Sequence, residues 1–247
     1  MKHILNLGAG VNSTALLLYL IEKKYPLDEV IFADTGAELK ETYSYLPKII
    51  KYCKDQKIKF TIVRKKEKIV WLLQVDQSLQ NLCERQHIIP SRLSRWCTYK
   101  FKIHPIQKHL KPAGVHIQYF GISSEESHRA KLKGRNAKAI RKYPLVENNI
   151  DRIGCIDIIK DYGWDIPVKS GCFFCPFQSL KAWQHLYLNH KDQYEIAEFL
   201  EKNNSNYPKF IFNTRPLDSL KNRFGEGLSK IDEWIYTPKC ESGYCFT

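Results

Sequence analysis

Cys172 and Cys175 form a C-x-x-C pair closed by Pro176, in the run Gly171-Cys172-Phe173-Phe174-Cys175-Pro176. Two thiolates from one tight turn can chelate one metal centre, and a third thiol from the distant Arg95-Trp96-Cys97 segment would make it a site of the folded chain. Cys155, just ahead of the C-x-x-C turn, is the candidate fourth ligand. Four thiolates suit either a [4Fe–4S] cluster or Zn²⁺. A second chemical element opens the chain. Gly8-Ala9-Gly10-Val11-Asn12-Ser13-Thr14 follows a strand-like run, and its small residues let backbone N–H groups approach a phosphate, with a helix N-terminus adding partial positive charge. It lacks the Gly-Lys-Ser/Thr of a Walker A loop, and a tight structural turn is the competing reading. Asp34 stands where a second strand ends; it suits Mg²⁺, a ribose or an adenine, or the capping of the next helix.

These residues need elements to position them. His3–Leu7, Glu29–Ala33, Lys59–Val63 and His116–Phe120 read as strands, with helices between them. Such alternation predicts an α/β fold: a parallel sheet with helices on both faces. Ligands of such sheets sit beyond the carboxyl ends of the strands, so Gly8–Ser13, Asp34-Thr35-Gly36 and Gly121-Ile122-Ser123 should face one cleft. Ser13 is expected to cap the first helix. A helix is expected to run to about Lys54, another over Asp151–Tyr162 with Gly163 as its stop, and two more over Ser179–Asn189 and Lys191–Asn203. Residues 131–141 are basic and poor in large apolar side chains, which suggests an exposed segment. The expected division is a nucleotide-binding core over 1–130 and a helical, cysteine-bearing extension over 131–247 packed on the same core.

The 247 residues carry 39 Lys and Arg against 26 Asp and Glu, a net charge of +13, and an anionic partner such as tRNA or DNA follows from that excess. No apolar run is long enough to span a membrane, and the N-terminal apolar stretch is too short for a signal peptide. Cytoplasmic residence follows, where eight cysteines serve metal binding or thiol chemistry rather than disulfides. Cys53 and Cys83 lie in apolar helical runs and read as core. His104, His128 and His185 show no ligand spacing and read as structural or surface. Arg92, Arg95, Lys100 and Lys102 gather beside Cys97, and a second basic stretch runs from Arg129 to Lys142.

In order along the chain, these motifs resemble those of the PP-loop adenine-nucleotide alpha-hydrolase superfamily, within it the phosphoadenosine-phosphosulfate-reductase-like family. Gly8-Ala9-Gly10-Val11-Asn12-Ser13 is similar to S-G-G-x-D-S. Asp34-Thr35-Gly36 with Glu41-Thr42 looks like D-T-G-x-x-x-x-E-T. The run from Cys97 to Pro105 resembles C-C-x-x-x-K-x-x-P, with Lys102 at the lysine, and Gly121–Ser127 resembles G-x-R-R-E-x-S. Three departures stand out. Ser123 and Ser124 replace the arginine pair that would grip a sulfonucleotide's anionic ends. Thr98 replaces the second cysteine, and the tail lacks E-C-G-x-H, to which Cys240–Cys245 is only loosely similar.

The resemblance implies ATP and Mg²⁺ over Gly8, Ala9, Gly10, Asn12, Ser13 and Thr14, with Asp34, Gly121 and Ser123 lining the adenosine pocket. It implies a [4Fe–4S] cluster on Cys97, Cys172 and Cys175, with Cys155 as candidate fourth ligand; Zn²⁺ is the alternative. Asp34, Lys102, Cys240 and Cys245 are the candidate catalytic residues. The expected reaction is ATP-dependent sulfur transfer to a nucleic acid, with a sulfur-donor protein as a further partner. The rivals are sulfonucleotide reduction, with Cys240 or Cys245 attacking sulfur, and a non-catalytic nucleic-acid-binding protein holding structural zinc.

Overall fold

The four strands expected from the sequence all form, and three further strands join them. The computed structural model describes residues 1–70, 73–130, 138–207, 209–211, 215–221 and 224. The strands are β1 (Lys2–Leu7), β2 (Glu29–Asp34), β3 (Lys59–Arg64), β4 (Lys66–Val70), β5 (Leu73–Asp76), β6 (His116–Phe120) and β7 (Ala139–Lys142). The helices are α1 (Val11–Glu22), α2 (Lys40–Asp55), α3 (Leu79–Gln86), α4 (Trp96–Thr98), α5 (His104–Leu110), α6 (Pro144–Glu147), α7 (Arg152–Asp161), α8 (Leu180–Asn189), α9 (Lys191–Lys202) and α10 (Leu217–Leu220).

The main sheet is parallel throughout, in the order β3-β2-β1-β6-β7. The twofold alternation of its strands sorts apolar side chains onto two faces. Leu5, Leu7, Val30 and Phe32 pack with α1, α2 and α7 on one face. On the other, Ile4, Ile31, Ala33 and Val63 pack with Leu110 and Ile106 of α5. Every residue of β2 is buried, as expected of a strand covered on both sides. β4 and β5 form a separate antiparallel hairpin. Strand order reverses between β1 and β6, so the crevice beyond their carboxyl ends is the switch point where ligands bind in sheets of this kind.

One expectation needs correction. Ser13 does not cap α1: the helix starts at Val11, Gly10 is its N-cap, and no side chain caps it. The core continues past residue 130. β7 hydrogen-bonds to β6 at the sheet edge, and Leu145, Cys155, Ile156 and Ile159 are buried in the same cluster as α1. The strand lies within a basic segment, where Arg141 and Lys142 suit an edge strand because charge discourages pairing with other chains. Residues 131–137 lie outside the described residues.

Helices α7 to α10 follow. α7 is capped by the Asp151 side chain and stops before Gly163, whose φ of 66° only glycine adopts without strain. α8 is capped by Ser179. With α9, α10 and α3, α8 builds a second core around Trp183, Tyr194, Leu186 and Phe101. Among the described residues no helix is long and apolar enough to cross a membrane.

Candidate functional site

The glycine-rich turn after β1 is built to present backbone rather than side chain. Ala9 holds a left-handed φ of 56°. The Ser13 hydroxyl is used within the loop: it accepts from Gly8 N at 3.2 Å and donates to Gly10 O at 3.1 Å. The first turn of α1 therefore begins uncapped, with its N–H groups pointing into the switch-point crevice. Thr14 is buried, and its hydroxyl has no partner among the described residues. Gly121, after β6, runs against this turn so closely that a Cβ would meet Ser13 Cα at 2.8 Å and Ser13 N at 2.9 Å. Ser123 is fully buried and accepts from Asn12 Nδ2 at 3.0 Å. The loops after β1 and β6 thus meet, as the strand reading required.

Asp34 has a different setting from the one expected of a metal or ribose ligand. Its Oδ1 accepts from Gly36 N at 2.8 Å and from the Tyr43 hydroxyl at 2.7 Å, and its Oδ2 accepts from Arg64 Nε at 2.8 Å. Both oxygens are engaged, and the carboxylate shapes the Asp34-Thr35-Gly36 turn. Gly36 has φ 67°, and a Cβ there would strike Ser78 Cβ at 2.5 Å.

The cysteine turn is sewn to that same loop. Leu39 N donates to Gly171 O at 3.0 Å and Phe173 N to Ala37 O at 2.9 Å, a short antiparallel bridge of Glu38 with Cys172. The two x residues of C-x-x-C, Phe173 and Phe174, are buried in the second core. Cys175 N closes the turn on Cys172 O at 3.1 Å. Cys97, Cys172 and Cys175 line one pocket, together with Lys102, Thr98 and Arg95. The segment bearing Cys97 is pinned to the turn: Arg92 Nε donates to Pro176 O at 3.0 Å, and the guanidinium groups of Arg92 and Arg95 lie 5.8 and 5.6 Å from the Phe177 ring centre. At Gly10 a Cβ would lie 2.7 Å from Ser170 Oγ, so the cysteine turn and the glycine-rich turn are immediate neighbours.

Lys102 enters the pocket from an unusual backbone. Between α4 and α5 the helix widens to a π-helical turn, Tyr99–Ile103. Pro105, which cannot donate to the preceding turn, follows directly, and such widened turns concentrate at functional sites. Lys102 Nζ pairs with the buried Glu38 carboxylate at 3.2 Å. Glu38 Oε1 also lies 3.7 Å from Cys172 Sγ, and Thr35 Oγ1 lies 3.2 Å from it. Burial pushes the Cys172 thiol well above its ordinary pKa, and Glu38 adds to this while Lys102 opposes it. Burial likewise raises Cys97, against Lys102 and Arg95. Three thiols line this pocket, with Lys102 acting on Cys97 and Cys172, and the charge of a bound metal would hold such thiols as thiolates. The fourth wall carries Thr98, where the family pattern has a cysteine.

Cys155 is not brought to this pocket. It is fully buried in the cluster around α1, and burial pushes its thiol up to about 12. Its place just before the C-x-x-C turn is nearness in sequence only, because α7 turns it into the core against α1. Cys83, by contrast, is close enough to Cys97 for their charges to interact. Cys53 and Cys83 are core thiols as expected, both pushed to about 12 by burial. In folded protein at about pH 8, Cys53, Cys83 and Cys155 should resist iodoacetamide and label only on unfolding. Peptide mapping by mass spectrometry checks this, and rapid native labelling of Cys155 would contradict its core placement. Cys240 and Cys245 lie outside the described residues.

Two arginines stand beside the glycine-rich turn: Arg152, which the sequence did not single out, and Arg129, read from it only as the start of a basic stretch. Arg152 Nη1 donates to Asn12 Oδ1 at 2.9 Å. Arg129 is buried and pairs with Glu126 at 3.0 Å, while Glu126 also approaches Asn12. Neither occupies the family's arginine positions, which is why motif matching did not find them.

The chain thus combines a parallel α/β sheet, a backbone-presenting turn at its switch point and a cysteine pocket beside that turn. Residues 2–139 match the phosphoadenosine phosphosulfate reductase domain, and the chain belongs to that family of PP-loop superfamily enzymes. Solved structures with a similar fold include the phosphoadenylyl-sulfate (PAPS) reductase from Candida auris in its phosphate complex, at 18% identity and a TM-score of 0.49, covering 68% of this chain and 75% of that one. Another is the U34-tRNA thiolase NcsA from Methanococcus maripaludis with its [4Fe-4S] cluster, at 16% identity and a TM-score of 0.47, covering 82% of this chain and 72% of that one. No curated protein matches the chain by sequence.

Proposed function

We propose that the chain is an ATP-dependent sulfurtransferase acting on a nucleic acid, with tRNA as the substrate class. One juxtaposition carries this reading: the PP-loop and the three-cysteine pocket touch at Gly10 and Ser170. The uncapped first turn of α1 would hold the triphosphate through backbone N–H groups, with Arg152 adding charge beside Asn12, and Mg²⁺ would supply charge neutralisation for the phosphates. Asp34 acts by holding the loop, since its oxygens are already engaged. Cys97, Cys172 and Cys175 would hold a [4Fe–4S] cluster, which supplies an iron able to carry the sulfur to be transferred.

A base carbonyl oxygen attacks the α-phosphorus of ATP, the bond to the β-phosphate oxygen breaks, and pyrophosphate leaves. Sulfide then attacks the activated carbon and AMP departs with the oxygen. Activation is required because oxide is a poor leaving group and AMP a good one. Ser123 offers no charge to grip a sulfonucleotide, and Arg129 is already neutralised by Glu126. The net charge of +13 suits a polyanionic acceptor, and binding should weaken steeply as salt rises.

The test is anaerobic turnover with ATP, sulfide and bulk tRNA, with a DNA duplex in a parallel arm. The expected result is tRNA-stimulated pyrophosphate release and a thiolated nucleoside by mass spectrometry. Sulfite release from a sulfonucleotide, without pyrophosphate release from ATP, would establish the reductase reading instead.

A further inference from the structure

A second cluster of metal-ligating side chains lies where α2 meets the C-terminal helices, apart from the cysteine pocket. Glu41 stands in the first turn of α2, His185 on α8, and His190 at the junction of α8 and α9. His185 Nε2 and His190 Nε2 lie 2.7 and 2.5 Å from the same oxygen, Glu41 Oε1. The three donor atoms all fall within 4.8 Å of one another. The other oxygen, Oε2, is buried and has no partner among the described residues. Two imidazoles converge on one carboxylate oxygen while its twin is unsatisfied.

We propose that Glu41, His185 and His190 form a binding site for a divalent transition-metal ion, with Zn²⁺ the ion best matched to two imidazoles and one carboxylate. This goes beyond the sulfur-transfer reading and does not depend on it. A metal about 2.0–2.1 Å from each donor places them roughly 3.3 Å apart, so the site must open by less than about 1 Å. His190 can supply that movement: it sits between two helices with φ −138° and ψ 59°, whereas His185 is buried within α8. Beside the distal imidazole nitrogen, Asn189 Nδ2 lies 3.1 Å from His185 Nδ1 and donates to His185 O at 3.0 Å. Solvent would complete the coordination from the exposed side.

The site has a structural consequence. Glu41 follows Glu38, whose backbone bridges Cys172 and whose carbonyl accepts from Gln193 Nε2 of α9 at 3.2 Å. A metal on Glu41 would tie the start of α2, and through it the cysteine turn, to both C-terminal helices.

Zn²⁺ titration by calorimetry of the full chain carrying Cys97→Ser, Cys172→Ser and Cys175→Ser together tests the proposal without the thiol site. One equivalent should bind and the melting temperature should rise by several degrees. Both effects should vanish when His190→Gln is added, a change that keeps a hydrogen-bond donor for Glu41 but removes the imidazole. Co²⁺ titration of the unmodified protein gives an independent reading should the triple variant not fold. It should show an equivalent with weak visible bands and no added sulfur-to-metal charge transfer, lost in His190→Gln. Zinc binding unchanged by His190→Gln, or Co²⁺ signals arising from thiolates alone, would overturn the site and leave the sulfur-transfer reading untouched.

Discussion

Cys172→Ser is expected to strip the iron–sulfur centre from anaerobically purified protein. Iron and acid-labile sulfide should fall from about four each per chain to near zero, and thiolation with them. Cys172 is the residue that joins the pocket to the Asp34-Thr35-Gly36 loop, through the bridge with Glu38 and the contacts of its sulfur with Thr35 and Glu38. Serine keeps the backbone bridge but offers an alcohol that stays protonated where a thiolate is needed. Cys155→Ser is the matched control. It changes a core residue remote from the pocket, so it should lower stability modestly and leave iron and sulfide at the wild-type ratio. Equal loss of iron in both variants would mean that Cys155 reaches the centre. Stoichiometric zinc without sulfide in the wild-type protein would remove the cluster altogether.

Much of this arrangement was legible before any coordinates. Strands of a two-sided parallel sheet announce themselves as short apolar runs, and β1, β2, β3 and β6 fall within a residue or so of their expected limits. The order of loops along the chain then forced Gly8–Ser13 and Gly121–Ser123 into one crevice, because all parallel strands end on the same side. What escaped was decided by contacts between segments far apart in sequence. β7 is a four-residue edge strand whose alternation is hidden in a basic run, and its pairing with β6 is what makes it a strand at all. The sequence left Asp34 open between a ligand and a helix cap, because nothing in it reveals that Arg64 and Tyr43 arrive at its carboxylate. Cys155 looked like a ligand by proximity along the chain, yet α7 turns it into the core beneath α1. The spacing of His185 and His190 matches no ligand motif, since their common partner comes from α2.

Lys102→Met should be the most destabilising single change near the pocket. The Glu38 side chain is 2% exposed and that of Lys102 12%, so removing the ammonium leaves a carboxylate buried beside a thiol without its ion-pair partner. Breaking a buried pair in this way costs roughly 3–5 kcal/mol, far more than the pair itself contributes over a neutral replacement of both members. Urea unfolding should therefore show a large loss for Lys102→Met and a substantial recovery when Glu38→Gln is added, the signature of direct coupling in a double-mutant cycle. The same substitution acts on the thiols. Burial raises Cys172 and Cys97, and Lys102 is among the charges that hold them back. Without that charge both thiols become harder to ionise, so metal loading of Lys102→Met should require a higher pH than wild type. A loss below about 1 kcal/mol would show that solvent screens the pair. A loading curve that does not move with pH would show that Lys102 tunes neither sulfur, and its placement on the widened helical turn would then serve Glu38 alone.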